Sequence, residues 1–219
     1  MRAWALLALT ACVPEPPSWA DLVLSAPGAS DALYGDPALA ANGARGGEWY
    51  SGSTDVYSLA TGEGDELILG WEGRILVDGP GVDLVVFENP FAIDEDSRFM
   101  DPVVVEVSPD GDGWVAFPHA FAGTTEWSSD PADWAGFAGL TPTLLDEELA
   151  PADPFDADTA GGDAFDLADL PAGDVTDLIL LEGVVAVRLT PAGPSYPSDP
   201  VSNGPDIDAV YGRELVRSR

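Results

Sequence analysis

The chain contains no lysine, one histidine, one cysteine and eight arginines in 219 residues, and each scarcity closes a route. Eight basic residues against 39 acidic ones leave a formal charge of −31, a field that repels nucleic acid and anionic membrane surfaces. Without Lys there is no phosphate-cradling glycine loop of the usual kind, and zinc is poorly served because His119 and Cys12 are each single of their type. One His allows at most one nucleophilic triad, and no Gly-x-Ser-x-Gly elbow accompanies it. Long apolar runs are missing too. The greasiest stretch, Ala3 to Ala11, falls far short of the roughly 20 residues that a helix needs to cross a bilayer. Neither long helical periodicity nor a fixed-period repeat is visible.

What is present describes a folded body. The hydrophobic fraction of 46% and seven Trp exceed what a disordered acidic chain carries, so the acids decorate a core. Twenty Pro and 24 Gly break short apolar runs into the rhythm of an all-β sandwich or barrel, expected here as one domain over residues 21–219. The expected strands are Leu67 to Trp71, Ile75 to Val77, Leu84 to Glu88, Val103 to Ser108, Trp114 to Phe117, Leu178 to Leu181, Val184 to Leu189 and Ile207 to Tyr211. Pro109-Asp-Gly-Asp-Gly113 between two of them reads as a hairpin turn, since Asp-Gly supplies the positive φ angles of tight turns. Residues 123–164, rich in Asp, Pro, Gly and Trp, read as extended loops over one end of the sandwich.

The N-terminus reads as an export signal over residues 1–11. Leu9-Thr10-Ala11-Cys12 matches the pattern of a bacterial lipobox, which makes Cys12 the expected lipidation site and a stiff Pro-rich spacer of residues 12–20. The rival is a cut after Ser18-Trp19-Ala20, which would release a secreted chain beginning at Asp21. The expected place is therefore the cell envelope, as an outer-membrane lipoprotein at the surface or facing the periplasm.

Candidate chemistry lies in carboxylates at strand ends. Asp78-Gly-Pro-Gly-Val-Asp83 launches an apolar strand that finishes on Glu88-Asn89, which suggests ligand or metal contact; the plainer alternative is that Asp83 binds turn amides and Asn89 shapes a loop. Gly161-Gly-Asp163-Ala-Phe-Asp166-Leu167 and Gly204-Pro-Asp206-Ile-Asp208 repeat the theme. In an extended strand Asp206 and Asp208 share a side, and carboxylates about 5 Å apart repel by roughly 3 kcal/mol at an effective dielectric near 20. A cation would relieve that, and hard oxygen donors favour Ca²⁺. The EF-hand fails as a template: Asp156-Ala-Asp158-Thr-Ala160 has no oxygen ligand at Ala160, and Leu167 stands where a Glu is required. Hydrolysis by two carboxylates, with Glu88 and Glu106 as the pair, is the catalytic alternative. Trp127 and Trp134, in the loop region, are candidates for stacking on sugar, with plugging of the loops as the alternative, whereas Trp71 and Trp114 read as core.

Taken together, Tyr34-Gly-Asp-Pro37, Gly52-Ser-Thr-Asp-Val-Tyr-Ser-Leu59, Asp78-Gly-Pro-Gly-Val-Asp-Leu-Val-Val-Phe-Glu-Asn89, Val105-Glu-Val-Ser-Pro-Asp-Gly111, Gly161-Gly-Asp-Ala-Phe-Asp-Leu167 and Asp206-Ile-Asp-Ala-Val210 resemble a family of bacterial "cell surface proteins", lipoproteins or sorting-signal proteins mostly of unassigned activity. The resemblance runs in order from about Asp21 to Gly212. It implies a jelly-roll sandwich like carbohydrate-binding and discoidin-like domains. Two departures stand out: Gly64-Asp-Glu66 replaces a Gly-Gly pair, and Asp101 stands where a Glu is usual, shortening one possible ligand.

The expectation is an anchored Ca²⁺-binding module for surface recognition or adhesion, with glycan or another surface polymer as partner and no catalysis. Its cation ligands are expected among Asp83, Glu88, Asn89, Asp163, Asp166, Asp206 and Asp208. A polysaccharide hydrolase and a purely structural acidic surface protein are the alternatives.

Overall fold

Alternating β-branched and leucyl side chains build two packed antiparallel sheets, described by a computed structural model over residues 16–26, 28–29, 31–124, 127–198 and 204–218. Cys12 lies outside these residues. Strands are numbered in chain order. The larger sheet runs β1 (Leu22–Ser25), β3 (Leu67–Gly70), β13 (Ala186–Pro191), β8 (Val103–Ser108) and β9 (Val115–Ala116). The smaller runs β12 (Asp163–Phe165), β5 (Leu84–Glu88), β14 (Asp206–Gly212) and β2 (Tyr57–Ser58). Short ribbons join β4 (Arg74–Leu76) to β15 (Leu215–Arg217), β6 (Phe91–Ala92) to β7 (Arg98–Phe99), and β10 (Ala120–Phe121) to β11 (Trp134–Ala135). The fold is an all-β sandwich, as the sequence predicts.

The main core lies between the sheets. Leu67, Leu69, Val105, Val107, Val187 and Leu189 of the larger sheet meet Tyr57, Leu84, Val86, Phe165, Ile207 and Val210 of the smaller. A second core covers the outer face of the smaller sheet, where Val85, Phe87, Ala209 and Tyr211 pack under Ala44, Leu145 and Ala160. Strand β5 is thus buried on both faces, which is why its sequence is a continuous apolar run instead of an alternation. The outer face of the larger sheet is mixed, with Leu22 and Leu24 of β1 exposed beside Ile68 at one edge and charged residues at its centre. There Arg188 forks onto Glu106 at 2.7 and 2.8 Å, reaches Glu66 at 3.3 Å and lies 4.4 Å above the ring of Trp114. Trp114 is accordingly a half-buried outer residue rather than core, whereas Trp71 is buried as expected.

Hairpin β8–β9 forms around the predicted turn, with Gly111 at φ 84° and Asp110 accepting from the amides of Asp112 and Gly113. The expected strand Leu178 to Leu181 is instead part of helix α2 (Asp174–Glu182), preceded in the chain by the single turn α1 (Ala157–Ala160). Asp174 and Asp177 sit in the first turn of α2, where they complement the helix dipole, and Gly183 closes the helix at φ 93°. A four-residue apolar run carries no periodicity that separates the two outcomes.

Residues 123–164 divide. Trp127, Trp134 and Phe137 pack with Met100 and Tyr196 in a separate aromatic cluster, while Leu145, Phe155 and Ala160 belong to the second core. Only part of this stretch therefore covers an end; the remainder roofs the smaller sheet.

The fold also begins earlier than residue 21. Ala20 is fully buried and its amide donates to Val210 O at 2.7 Å, Trp71 Nε1 donates to Ser18 O at 3.1 Å, and Trp19 meets the Tyr211 ring edge-on at 6.1 Å. Truncating a partly buried Trp removes about 2 kcal/mol or more, so Trp19→Ala is expected to lower Tm by roughly 4–8 °C in a chain of this size. An unchanged melting curve would show that residues 18–20 are dispensable to the sandwich.

Candidate metal centre

Strand β5 organises the predicted site residues, because β12 and β14 flank it and carboxylates stand at both of its ends. At its start the tight Asp78-to-Asp83 turn, with Gly81 at φ 82°, brings Asp78 back toward Asp83, and β12 pairs Phe165 with Leu84 so that Asp166 follows alongside. One oxygen each from Asp78, Asp83 and Asp166 lies within 4.8 Å of the others. Three oxygens so spaced all come within about 2.8 Å of one point, close to the 2.3–2.6 Å of calcium coordination. Asp83 is fully buried; it accepts from the amides of Gly79 at 2.9 Å and Leu167 at 3.0 Å. The plainer alternative of turn binding therefore holds for Asp83, alongside its place in the cluster. Burial raises its pKa, the two amides oppose this, and Asp78 and Asp166 raise it further. Asp166 spends one oxygen on the amide of Ala168, at the start of the turn Leu167–Asp169.

The other end of β5 is about 17 Å away at 3.3 Å per residue. Here Glu88 and Asp163 lie on the inner face, because their Cα partners Ile207 and Val86 belong to the main core. Glu88 is 3% exposed, its Oε1 accepts from the amide of Asp206 at 2.9 Å, and its buried Oε2 has no hydrogen-bond partner. Burial holds its pKa well above the usual range, and Asp101, Asp206 and Asp163 add to the shift. Asp163 ties down the loop 139–141, accepting from the amides of Gly139 and Leu140 at 2.8 and 2.9 Å and from Thr141 Oγ1 at 2.9 Å. Burial still pushes it up to about 6. The glycines that begin its block are required by close approach: a Cβ on Gly161 would stand 1.9 Å from Pro142 O, and one on Gly162 2.6 Å from the Phe87 ring. Asp206 is raised by burial, opposed by the Ser58 hydroxyl that donates to it.

Asp206 and Asp208 do not share a site. Asp208 lies on the roofed face at the bulge between Ile207 and Ala209, where Oδ1 accepts from the amide of Arg45 at 2.9 Å, whereas Asp206 accepts from the Ser58 hydroxyl. Asp208 Oδ2 is buried without a hydrogen bond, and burial pushes its pKa to about 8, with Asp55 and Asp146 adding and Arg45 opposing. Asn89 clamps the neighbouring loop from two sides: Oδ1 accepts from Ser53 N at 2.5 Å and Nδ2 donates to Ser53 O at 3.0 Å. Trp134 is fully buried with Nε1 bonded to Ser128 O, so it plugs the loops and does not stack on a ligand. Trp127 packs 5.2 Å from it, half-buried, and lines a groove of about 600 Å³ together with Asp101, Glu63 and Thr61.

Seven expected ligands thus divide into a start group, an exit group, an isolated Asp208 and a structural Asn89. Two participants were missed. Asp78 opens the Asp78-to-Asn89 segment, and a turn tight enough to bring it near Asp83 was legible there; Asp101 carried no signal beyond one difference from the proteins that the sequence resembles. Among the described residues no ion pair reaches Asp78, Asp83, Asp166, Glu88, Asp163 or Asp206. No known protein family, curated protein or solved structure matches the chain.

The raised Asp208 has a definite linkage. Between its unfolded pKa near 4 and its folded value of about 8, the native state holds a proton that the unfolded chain has released, so this group makes stability fall as pH rises. Asp208→Asn is expected to remove that slope, gaining on the wild type between pH 5 and pH 8 when both are unfolded by urea in EDTA. A stability difference independent of pH would contradict the assignment.

Proposed function

We propose that this chain is an envelope-anchored, calcium-binding β-sandwich module for surface recognition or adhesion and not an enzyme. The observation that carries the reading is the cluster of Asp78, Asp83 and Asp166, three oxygen donors within 4.8 Å of one another with no arginine ion pair among the described residues. Oxygen-only donors at this spacing suit a hard divalent cation and exclude the soft thiolate sites of zinc or copper. A cation there would also bind the turn before β5 to the end of β12, so that the ion stabilises the fold it sits in.

Against hydrolysis by Glu88 and Glu106, Glu106 is bonded to Arg188 on the outer face of the larger sheet while Glu88 lies on the inner face of the smaller. The two do not face a common cleft, as paired catalytic carboxylates must. Glycan, the surface polymer we favour as partner, is supported by the groove where Trp127 stands beside Asp101, Glu63 and Thr61. Anchoring through an acylated Cys12 is supported by the packing of Ser18 to Ala20, since a cut after Ala20 would strip the edge of the sandwich of the Trp19–Tyr211 and Ala20–Val210 contacts. Among the described residues no helix is long and apolar enough to cross a membrane.

Calcium at a hundredfold excess over Kd adds about 2.7 kcal/mol to the folded state, which is roughly 5–10 °C in Tm for a chain of this length. We expect that rise in calcium chloride relative to EDTA, and its reduction in the double variant Asp78→Asn/Asp166→Asn. If sodium chloride of equal ionic strength gives the same rise, the acids act through screening alone and the chain is a structural acidic protein.

A further inference from the structure

Glu88 is a different case from the cluster at the start of β5. A carboxylate oxygen buried without any hydrogen bond is costly unless something charged or protonated meets it. Oε2 of Glu88 is such an atom, on a side chain only 3% exposed. Its surroundings are acidic: Asp101 is the carboxylate that raises it most, followed by Asp206 and Asp163. The side chain is also held in aim. Oε1 is fixed by the amide of Asp206, and the backbone oxygen of Glu88 accepts from Thr143 Oγ1 at 2.5 Å. Oε2 then points at the segment carrying Asp101: the position that a Cβ on Gly139 would take lies 3.3 Å from Glu88 Oε2 and 2.8 Å from Asp101 O. Glycine at 139, with φ 85°, is what lets a carboxylate oxygen and a carbonyl oxygen converge there.

We propose that the Glu88 end of the sandwich is a second divalent-cation site, in which Glu88 Oε2 and oxygens of Asp101 hold a calcium ion whose outer positions face the groove beside Trp127. Asp101 belongs both to the acidic surroundings of Glu88 and to the lining of that groove, which makes it the link between the buried oxygen and the open surface. Asp163 is tied to the amides and hydroxyl of loop 139–141, so in this site it supplies negative potential and rigidity. Asp206 joins Glu88 to Ser58 and fixes the carboxylate from the other side. The site goes beyond the start cluster and stands independently of it, about 17 Å away along β5.

The test is calorimetric titration of the whole chain with calcium chloride, compared with Glu88→Gln and with Asp78→Asn/Asp166→Asn. The wild type is expected to bind two ions; Glu88→Gln keeps the Asp206 amide bond and loses one of them, with affinity at that site falling at least tenfold. The double variant loses the other. If the wild type binds a single ion that the double variant abolishes and Glu88→Gln does not, this proposal is overturned and the start cluster stands. The opposite pattern upholds Glu88 and overturns the start cluster. A Glu88 that is merely a buried protonated acid leaves the isotherm of Glu88→Gln unchanged, which also overturns it. Should Glu88→Gln melt below the wild type in EDTA, Asp101→Asn decides: loss of the same ion upholds the site, and retention overturns it.

Discussion

A strand buried on both faces has nowhere along its length to put a charge, and β5 meets that constraint by carrying its acids at its ends. Leu84 to Phe87 fill two cores, one between the sheets and one under the roof of loops. Asp83 and Glu88 are consequently drawn into the protein with the strand, and both are nearly or wholly inaccessible. No arginine forms an ion pair with either among the described residues: Arg74 serves Asp21, Arg188 serves Glu106 and Glu66, Arg45 serves Asp55 and Glu148, and Arg213, whose amide donates to Asp83 O, spends its Nε on Val82 O. Backbone amides reach both oxygens of Asp83 but only one oxygen of Glu88. The difference between the two ends follows from that count.

The same arrangement divides structure from recognition. The start of β5 sits against the Gly79 turn and the end of β12, where a cation would fasten elements already in contact. Its exit lies near Asp101, which itself lines the groove beside Trp127. An ion at the first end would serve the fold; one at the second would meet a partner. Acidity elsewhere on the chain is of another kind. Asp31, Asp36, Asp130, Asp153 and Asp156 accept from backbone amides two residues ahead of them, opening short turns.

Much of the fold was legible because period-2 patterning and the Asp-Gly turn are local signals. Leu84–Glu88 and Val103–Ser108 fall where alternation and apolar run place them. Helix α2 was not legible, since Leu178 to Leu181 has too few residues to express a period and its helix is set by Asp174, Asp177 and the flanking glycines. At the candidate site, the sequence marked both ends of β5 but merged them: only pairing of β12 and β14 on either side of β5 separates Asp83 and Asp166 from Glu88 and Asp163. Asp208 and Asp206 are separated by what meets them, Arg45 for the one and Ser58 and Glu88 for the other, long-range contacts that a two-residue spacing does not show. Trp134 and Trp127 look alike in sequence and differ by burial that only long-range packing decides.

The proposed cations meet the carboxylates at both ends of β5. An anomalous difference map from crystals of the chain grown in terbium chloride, a trivalent substitute for calcium with strong anomalous scattering, locates them. The expected result is one peak among Asp78, Asp83 and Asp166 and a second between Glu88 and Asp101. Peaks confined to exposed acids such as Asp94 and Asp112, with none at either end of β5, would contradict it.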